Sequence, residues 1–535
     1  GGVQAALSSV PVSVTASNVT TSVTLTTDET WSGVIVLTRD VTVPDGITLT
    51  LSEGAIIKAN PQSDDQFGGV DTSRIELIID GTLDLQGSAA LPVTFTSNRS
   101  LPALPAAGDW YGIRLTNTAD STVTIHDAVI EAGVRGIWGD GGSHQDVVDC
   151  VVRDMTEHGI YMDFGVGVLD VADEGMTVSG NTVERIGHTG IYLNKSGTDV
   201  SWDDAVHVVD SNTVNETGNR AIYVRPSNAE RTEVTGNMLS AGYDGINISG
   251  YPVLAHTNHV EVSGNQISDM TDEAIYQYNG RTLLVEGNTI TGGLRGIAID
   301  VVEEARVINN DLSGGTASGI RMSGSGDRGY IYRNSVTGYA GDGVVSQYLG
   351  ELIVLYNTIS ASGGDALQLA PGGGASVPRV HWNNIDGSTD YDLKLEGSTG
   401  IDARRNHWAA TNGEMQAEGY PSDISKIWDI EDYNLRGRVD YRGVENLAID
   451  TNVTLESRFV WPFDGDTMSR RTITLEGTAY ADAGVQLVEV STDGGMTWLP
   501  ASGTEFWTYS FTPVADGPQT FHCRVTDGDS NVEST

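Results

Sequence analysis

An asparagine-centred pattern recurs through the middle of the chain, and few folds accommodate it. Asp127, Asp149, Asn181, Asn212, Asn237, Asn265, Asn288, Asn310, Asn334, Asn357, Asn383 and Asn406 follow one another at intervals of 22 to 32 residues. An apolar residue stands two positions after each, from Val129 and Val151 to Ile385 and Trp408. A branched aliphatic stands three positions before the asparagines, from Val178 to Val380. About ten residues after these positions come a small residue and an isoleucine, as in Gly159-Ile160, Gly190-Ile191, Ala221-Ile222, Gly245-Ile246, Ala274-Ile275, Gly296-Ile297 and Gly319-Ile320. Repeats of this length belong to stacked architectures, in which each unit buries its apolar face only against its neighbours.

Within a unit the apolar period is two. Ile191 and Leu193 face one way while Tyr192 and Asn194 face the other, and Ile246/Ile248, Ile297/Ile299, Ile320/Met322 and Leu367/Leu369 repeat this. Such alternation marks half-buried strands. Three short strands cannot close a domain alone, but as one turn of a coil they stack about 4.8 Å above the next turn. Asparagine tolerates a left-handed backbone at a tight corner. Stacked there, its amides can bond one another and the backbone carbonyls.

These columns resemble the right-handed parallel β-helix repeat proteins, the pectate-lyase-like solenoids. Further stretches carry the likeness: Trp31-Ser32-Gly33 through Leu49, Asp80-Gly81-Thr82-Leu83, Pro92 to Ser97, Asp109-Trp110-Tyr111-Gly112-Ile113 and the closing Ile401 to Trp408. The resemblance implies an all-β chain: an N-terminal extension (1–30), a cap and first coils (31–122), a β-helix with its closing segment (123–445) and a linker (446–458). From about Phe459 short strand-like runs alternate with Asp-Gly turns. Val488 to Trp498 and Arg524 to Asn531 resemble bacterial Ig-like modules, which implies a β-sandwich over 459–535; such modules usually occur in tandem, so the natural chain could continue past Thr535. Cys523, with no partner in such a module, is read as a buried apolar filler. Cys150 is placed one residue past a corner position.

In the solenoid family the strand after the Gly-Ile step lines the substrate cleft. Its outward residues here include Tyr161, Tyr192, Tyr223, Asn247 and Tyr276, followed by a second outward row containing Asp163, Asn194, Arg225 and Tyr278. Aromatic rings in a row suit sugar faces, with polar neighbours for the hydroxyls; stacked tyrosines also stabilise a sheet in their own right. The three longest intervals insert residues after that strand, bringing Lys195, Trp202, Asp203, Asp204, His207, Tyr251, His256 and His259. On the turn entering it stand Arg220, Asp244, Glu273 and Arg295. Asp244 and Glu273 occupy equivalent places on adjacent coils, a spacing that suits the acid and nucleophile of a retaining glycosidase or a shared Ca²⁺. A lyase would instead need a base, such as Tyr, His, Lys or Arg, and a group to neutralise a uronate, parts that Arg220, Arg225, Tyr223 and Tyr276 could supply. The polygalacturonase-type set of Asn-x-Asp, Asp-Asp and Gly-His-Gly is missing, as is a pectate-lyase-type calcium site. His144, His381, His407 and His522 fit no metal-ligand spacing and are read as structural.

Charge narrows the partners. The 535 residues carry 30 Lys+Arg against 72 Asp+Glu, a net −42. Nucleic-acid binding needs basic surface to displace counterions, so it is excluded, and no apolar run reaches the roughly 18 residues of a membrane-spanning helix. The expectation is a secreted or cell-surface protein whose signal peptide has been removed, structural or adhesive rather than catalytic. Its partners would be a polysaccharide or surface glycan, with filament or surface-layer neighbours of its own kind. The alternative is a polysaccharide lyase or glycoside hydrolase using the same face. Calcium enters as an expectation from charge alone, and no metal-ligand set is assigned.

Overall fold

A computed structural model describes residues 16–19, 24–64, 68–100, 102–116, 123–140, 145–164, 175–195, 206–226, 231–250, 259–324, 327–372 and 376–534. The chain divides into two compact units, residues 1–305 and 306–535.

The first unit is a parallel β-solenoid with three strands per coil. One coil runs Val206–Asp210, Thr213–Thr217, Arg220–Arg225. Each strand pairs in register with its counterpart on the next coil, as Ile160, Ile191, Ile222, Ile246 and Ile275 do along one face. All five side chains are fully buried, so the alternation in sequence is the alternation of core and surface. In the segment expected to hold the cap and first coils, Val34–Leu37, Ile56–Ala59 and Val93–Ser97 stack in one parallel sheet with Ala128–Glu131.

Asparagines build one corner. The Asn181 Nδ2 donates to Asn212 Oδ1 over 2.9 Å, and the same bond joins Asn212 to Asn237, Asn237 to Asn265 and Asn265 to Asn288. Each Nδ2 also reaches a backbone carbonyl of the preceding coil, as Asn212 does to Val178 O over 2.8 Å. Two readings of this corner need correction. The left-handed residue is the one before the asparagine, such as Gly180, Ser211 or Gly236, which frees the asparagine itself to turn inward. And Val151 pairs with Thr182, so Cys150 rather than Asp149 stands at the asparagine position, while Asp149 takes the left-handed backbone at φ 53°.

Behind the tyrosine-bearing strand the column Gly136, Gly159, Gly190, Ala221, Gly245, Ala274 points inward. A Cβ on Gly190 would lie 2.5 Å from Val214 Cγ1 and 2.7 Å from the Ala221 carbonyl oxygen, so the column admits only very small residues.

The second unit holds further parallel coils with its own amide ladder, Asn310, Asn334, Asn357, Asn383 and Asn406. A short helix, Asn412–Glu418, follows. Then come two antiparallel sheets. One contains Leu455–Trp461, Ile473–Ala481, Phe506–Phe511 and Ser502–Gly503; the other contains Val485–Ser491, Leu499–Pro500 and His522–Asp527. Leu475, Val488, Val490, Trp507 and Val525 fill the core between them. Cys523 is half-buried at its margin, less enclosed than expected.

The antiparallel part is docked on this unit's coils. Tyr480 packs with Tyr332, Tyr356, Trp382 and Ile449, and the Trp382 Nε1 donates to Thr478 Oγ1 over 3.1 Å. Arg333 pairs with Asp482, and Arg404 with Glu476 at 2.7 Å. The stretch read as a linker takes part, because Ile449 is buried and its backbone exchanges two bonds with the Asn384 side chain.

Candidate functional site

The tyrosine column of the first unit is in register. Trp138 pairs with Tyr161, Tyr161 with Tyr192, Tyr192 with Tyr223, Tyr223 with Asn247 and Asn247 with Tyr276. The ring centroids of Tyr161 and Tyr192 are 4.4 Å apart and nearly parallel, and those of Tyr192 and Tyr223 are 4.8 Å apart. Arg220 lies over the Tyr223 ring at 4.9 Å. Rings so stacked cover one another's faces, and Tyr192, between two neighbours, offers edge and hydroxyl to the outside. The Tyr161 hydroxyl donates to Asp163 over 2.9 Å. Burial, followed by the Asp163 charge, pushes its pKa up, and burial does the same for Tyr192.

His158 sits against Tyr161, His188 and Tyr192, with centroids 4.8, 4.8 and 5.6 Å away. Burial, helped by the charges of His188 and Arg135, pushes it down to about 3. It is therefore a neutral imidazole throughout the ordinary pH range.

At Asn247 the aromatic column breaks, and the charged row lies beside the break. Asn247 is 5 % exposed and donates through Nδ2 to Asp244 Oδ2 over 2.8 Å. Arg220 and Asp244 are in register, with 3.5 Å between Nε and Oδ2. One coil on, the Arg295 guanidinium bonds Glu273 at 2.5 Å. The structure thus brings Asp244 and Glu273 together and adds Asp272, with carboxylate oxygens of all three within 4.8 Å of one another. Burial raises the pKa of Asp244 against the pull of Asn247 and Arg220. Burial and then Asp272 raise that of Glu273, opposed by Arg295. Three carboxylates at this range suit a hard cation, but here two arginines already supply positive charge.

Two rings beside this row are exposed. Tyr278, on the second outward row opposite Ser249, is 45 % exposed, and Tyr243, immediately before Asp244, is 49 % exposed. The Tyr243 hydroxyl is hydrogen-bonded to Asp272. Tyr243 and Asp272 escaped the sequence reading because they stand one position earlier on the turn than the row it followed. Arg225 lies in register with Asn194, on the Tyr278 row. Trp202, Asp203, Asp204, Tyr251, His256, His144 and the side chain of Lys195 lie outside the described residues. His207 is buried and His259 hydrogen-bonds Thr282; both belong to the neighbouring face of the coil.

Residues 93–252 and 253–407 match the right handed beta helix region. The chain belongs to the right-handed β-helix family. No curated protein matches it. Membership gives the solenoid its winding sense and leaves chemistry to particular side chains, since one such scaffold carries many activities.

Proposed function

We propose that this right-handed β-helix protein is an extracellular or cell-surface structural or adhesive protein that binds a polysaccharide over the face centred on Asn247. One observation carries the reading: the exposed rings of Tyr243 and Tyr278 flank a polar row of Arg220, Asp244, Asn247, Glu273 and Arg295. A pyranose ring lays its C–H face on an aromatic plane while its hydroxyls seek amide, carboxylate and guanidinium partners. Arg220, Arg225 and Arg295 offset the carboxylates of Asp244, Asp272 and Glu273 here, on a chain that is otherwise strongly acidic. Assembly into a layer or filament is compatible with such a face.

Catalysis is the second reading, favoured by the Asp244 and Glu273 oxygens lying within 4.8 Å, close to the roughly 5 Å carboxyl separation of retaining glycosidases. The arginine held by each acid weighs against a free acid–nucleophile pair.

The deciding experiment incubates the protein with neutral and uronate-rich polysaccharides, measuring binding, reducing ends and unsaturated-product absorbance together. Binding without turnover, weakened at least about tenfold in Tyr278→Ala or Tyr243→Ala, is expected from loss of one stacked sugar contact. Turnover abolished by Glu273→Gln or Tyr223→Phe would replace this reading with the enzymatic one. Absence of binding to every polysaccharide would remove both.

A further inference from the structure

The inward column that reads Gly136, Gly159, Gly190, Ala221, Gly245, Ala274 begins differently. Glu76 pairs in register with Gly112, which precedes Gly136 in the column, and Asp40 precedes Glu76, since Val41 pairs with Leu77. Where later coils carry a hydrogen or a methyl group, these two carry carboxylates inside the corner. Asp40 is 2 % exposed and Glu76 is fully buried.

Half of their hydrogen-bonding capacity is used. The Glu76 N–H donates to Asp40 Oδ1 over 2.8 Å, and Glu76 Oε1 accepts from the N–H groups of Val70 and Asp71 over 2.7 and 2.8 Å. Asp40 Oδ2 and Glu76 Oε2 are buried and accept nothing. Both unused oxygens face one glycine turn: a Cβ on Gly68 would lie 2.9 Å from Asp40 Oδ2, and one on Gly69 would lie 2.8 Å from Glu76 Oε2. A third buried carboxylate, Asp64, binds the same turn by accepting the Gly68 N–H over 2.9 Å. Leaving a buried carboxylate oxygen unpaired is costly. Two such oxygens beside one side-chain-free turn offer a place for a positive partner.

We propose that Asp40 and Glu76 hold a hard divalent cation of the calcium class at the inner corner of the first coils. The donor set is oxygen only, which selects calcium or magnesium over softer metals, and the carboxylates pair with backbone carbonyls and water in such sites. Unlike Asp244 and Glu273, the pair has no bonded arginine. Arg114 reaches Glu76 only through its field, and Arg74 is bonded to Asp71. Asp64, Glu76 and Asp71 all add negative charge around Asp40.

The test uses the full chain stripped with EDTA, melted with and without calcium or magnesium chloride at about pH 8, with calcium stoichiometry from equilibrium dialysis. Calcium should raise Tm by about 3 °C or more. Asp40→Asn and Glu76→Gln should each remove the shift, and Glu273→Gln should keep it. Asp40→Asn needs no cation, so in EDTA it should melt no lower than the parent protein; if it fails to fold, Glu76→Gln carries the comparison. No calcium effect in the parent protein would overturn the proposal. So would a shift that survives both substitutions, or one lost in Glu273→Gln alone.

Discussion

Cys150 and Asn181 stand at the same corner position on adjacent coils, and the Cys150 N–H donates to Asn181 Oδ1 over 2.9 Å. The thiol copies the amide in a second respect. Its Sγ lies 3.5 Å from the Ile125 carbonyl oxygen of the preceding coil, as the Asn181 Nδ2 lies 2.8 Å from that of Val147. Burial pushes the thiol up to about 12, so native protein should leave Cys150 unlabelled by a thiol reagent until unfolded. Cys150→Asn should lengthen the ladder and raise stability by about 1 kcal/mol in urea unfolding, the net worth of a buried hydrogen bond.

The inward column distinguishes glycine from alanine position by position. Gly190→Ala drives a methyl into Val214 and the Ala221 carbonyl and should cost about 1–3 kcal/mol, the usual range for overpacking. The reverse change one coil on, Ala221→Gly, should cost about 1 kcal/mol or less through backbone freedom alone. Thermal melts of the two variants check the contrast.

His158 should give the tyrosine face an acid sensitivity. A histidine whose folded-state pKa is depressed contributes stability above its unfolded value near 6.5, which is lost as pH falls toward about 3. Stability should therefore decline between about pH 6.5 and pH 4, and His158→Gln should flatten the decline. Imidazole NMR shifts should show His158 still neutral at about pH 5.

Tyr480 fastens the antiparallel sheets to the coils of the second unit. The Arg333 guanidinium lies over its ring at 5.0 Å and donates to its hydroxyl over 3.0 Å, while Tyr332 meets the ring edge-on at 6.1 Å. Tyr480→Ala should destabilise this contact by about 3–5 kcal/mol. Limited proteolysis should then cut within 446–458 in the variant while sparing the parent protein.

Much of the solenoid was legible because stacking converts geometry into spacing. A residue that must be small, or must carry an amide, recurs each turn, so columns in the text become columns in space. The Asp149 misplacement shows where this weakens. An aspartate in left-handed backbone one residue early resembles a ladder asparagine in sequence, and only strand register separates them. The tyrosine column was equally readable, but ring-face access was not, because it depends on a 4.4–4.8 Å centroid spacing that pairs the rings with one another. Tyr243 and Asp272 sat one step off the row that drew attention. Asp40 and Glu76 carried no signal, since the first coils lack the asparagine and Gly-Ile marks that would have aligned them. The docking of Tyr480 joins residues far apart in sequence and leaves no periodic trace.

The amide ladders point one way. The Nδ2 groups from Asn181 to Asn265 and from Asn310 to Asn383 each donate to the Oδ1 of the asparagine on the following coil. Peeling away the last coil of a ladder strips two donors of the asparagine below it, its backbone N–H and one Nδ2 hydrogen, whereas peeling away the first strips one Nδ2–carbonyl bond and leaves a vacant lone pair, which proteins tolerate more readily. Each stack is thus a ratchet against unravelling from its C-terminal side, and amide exchange should advance along it from the N-terminal end.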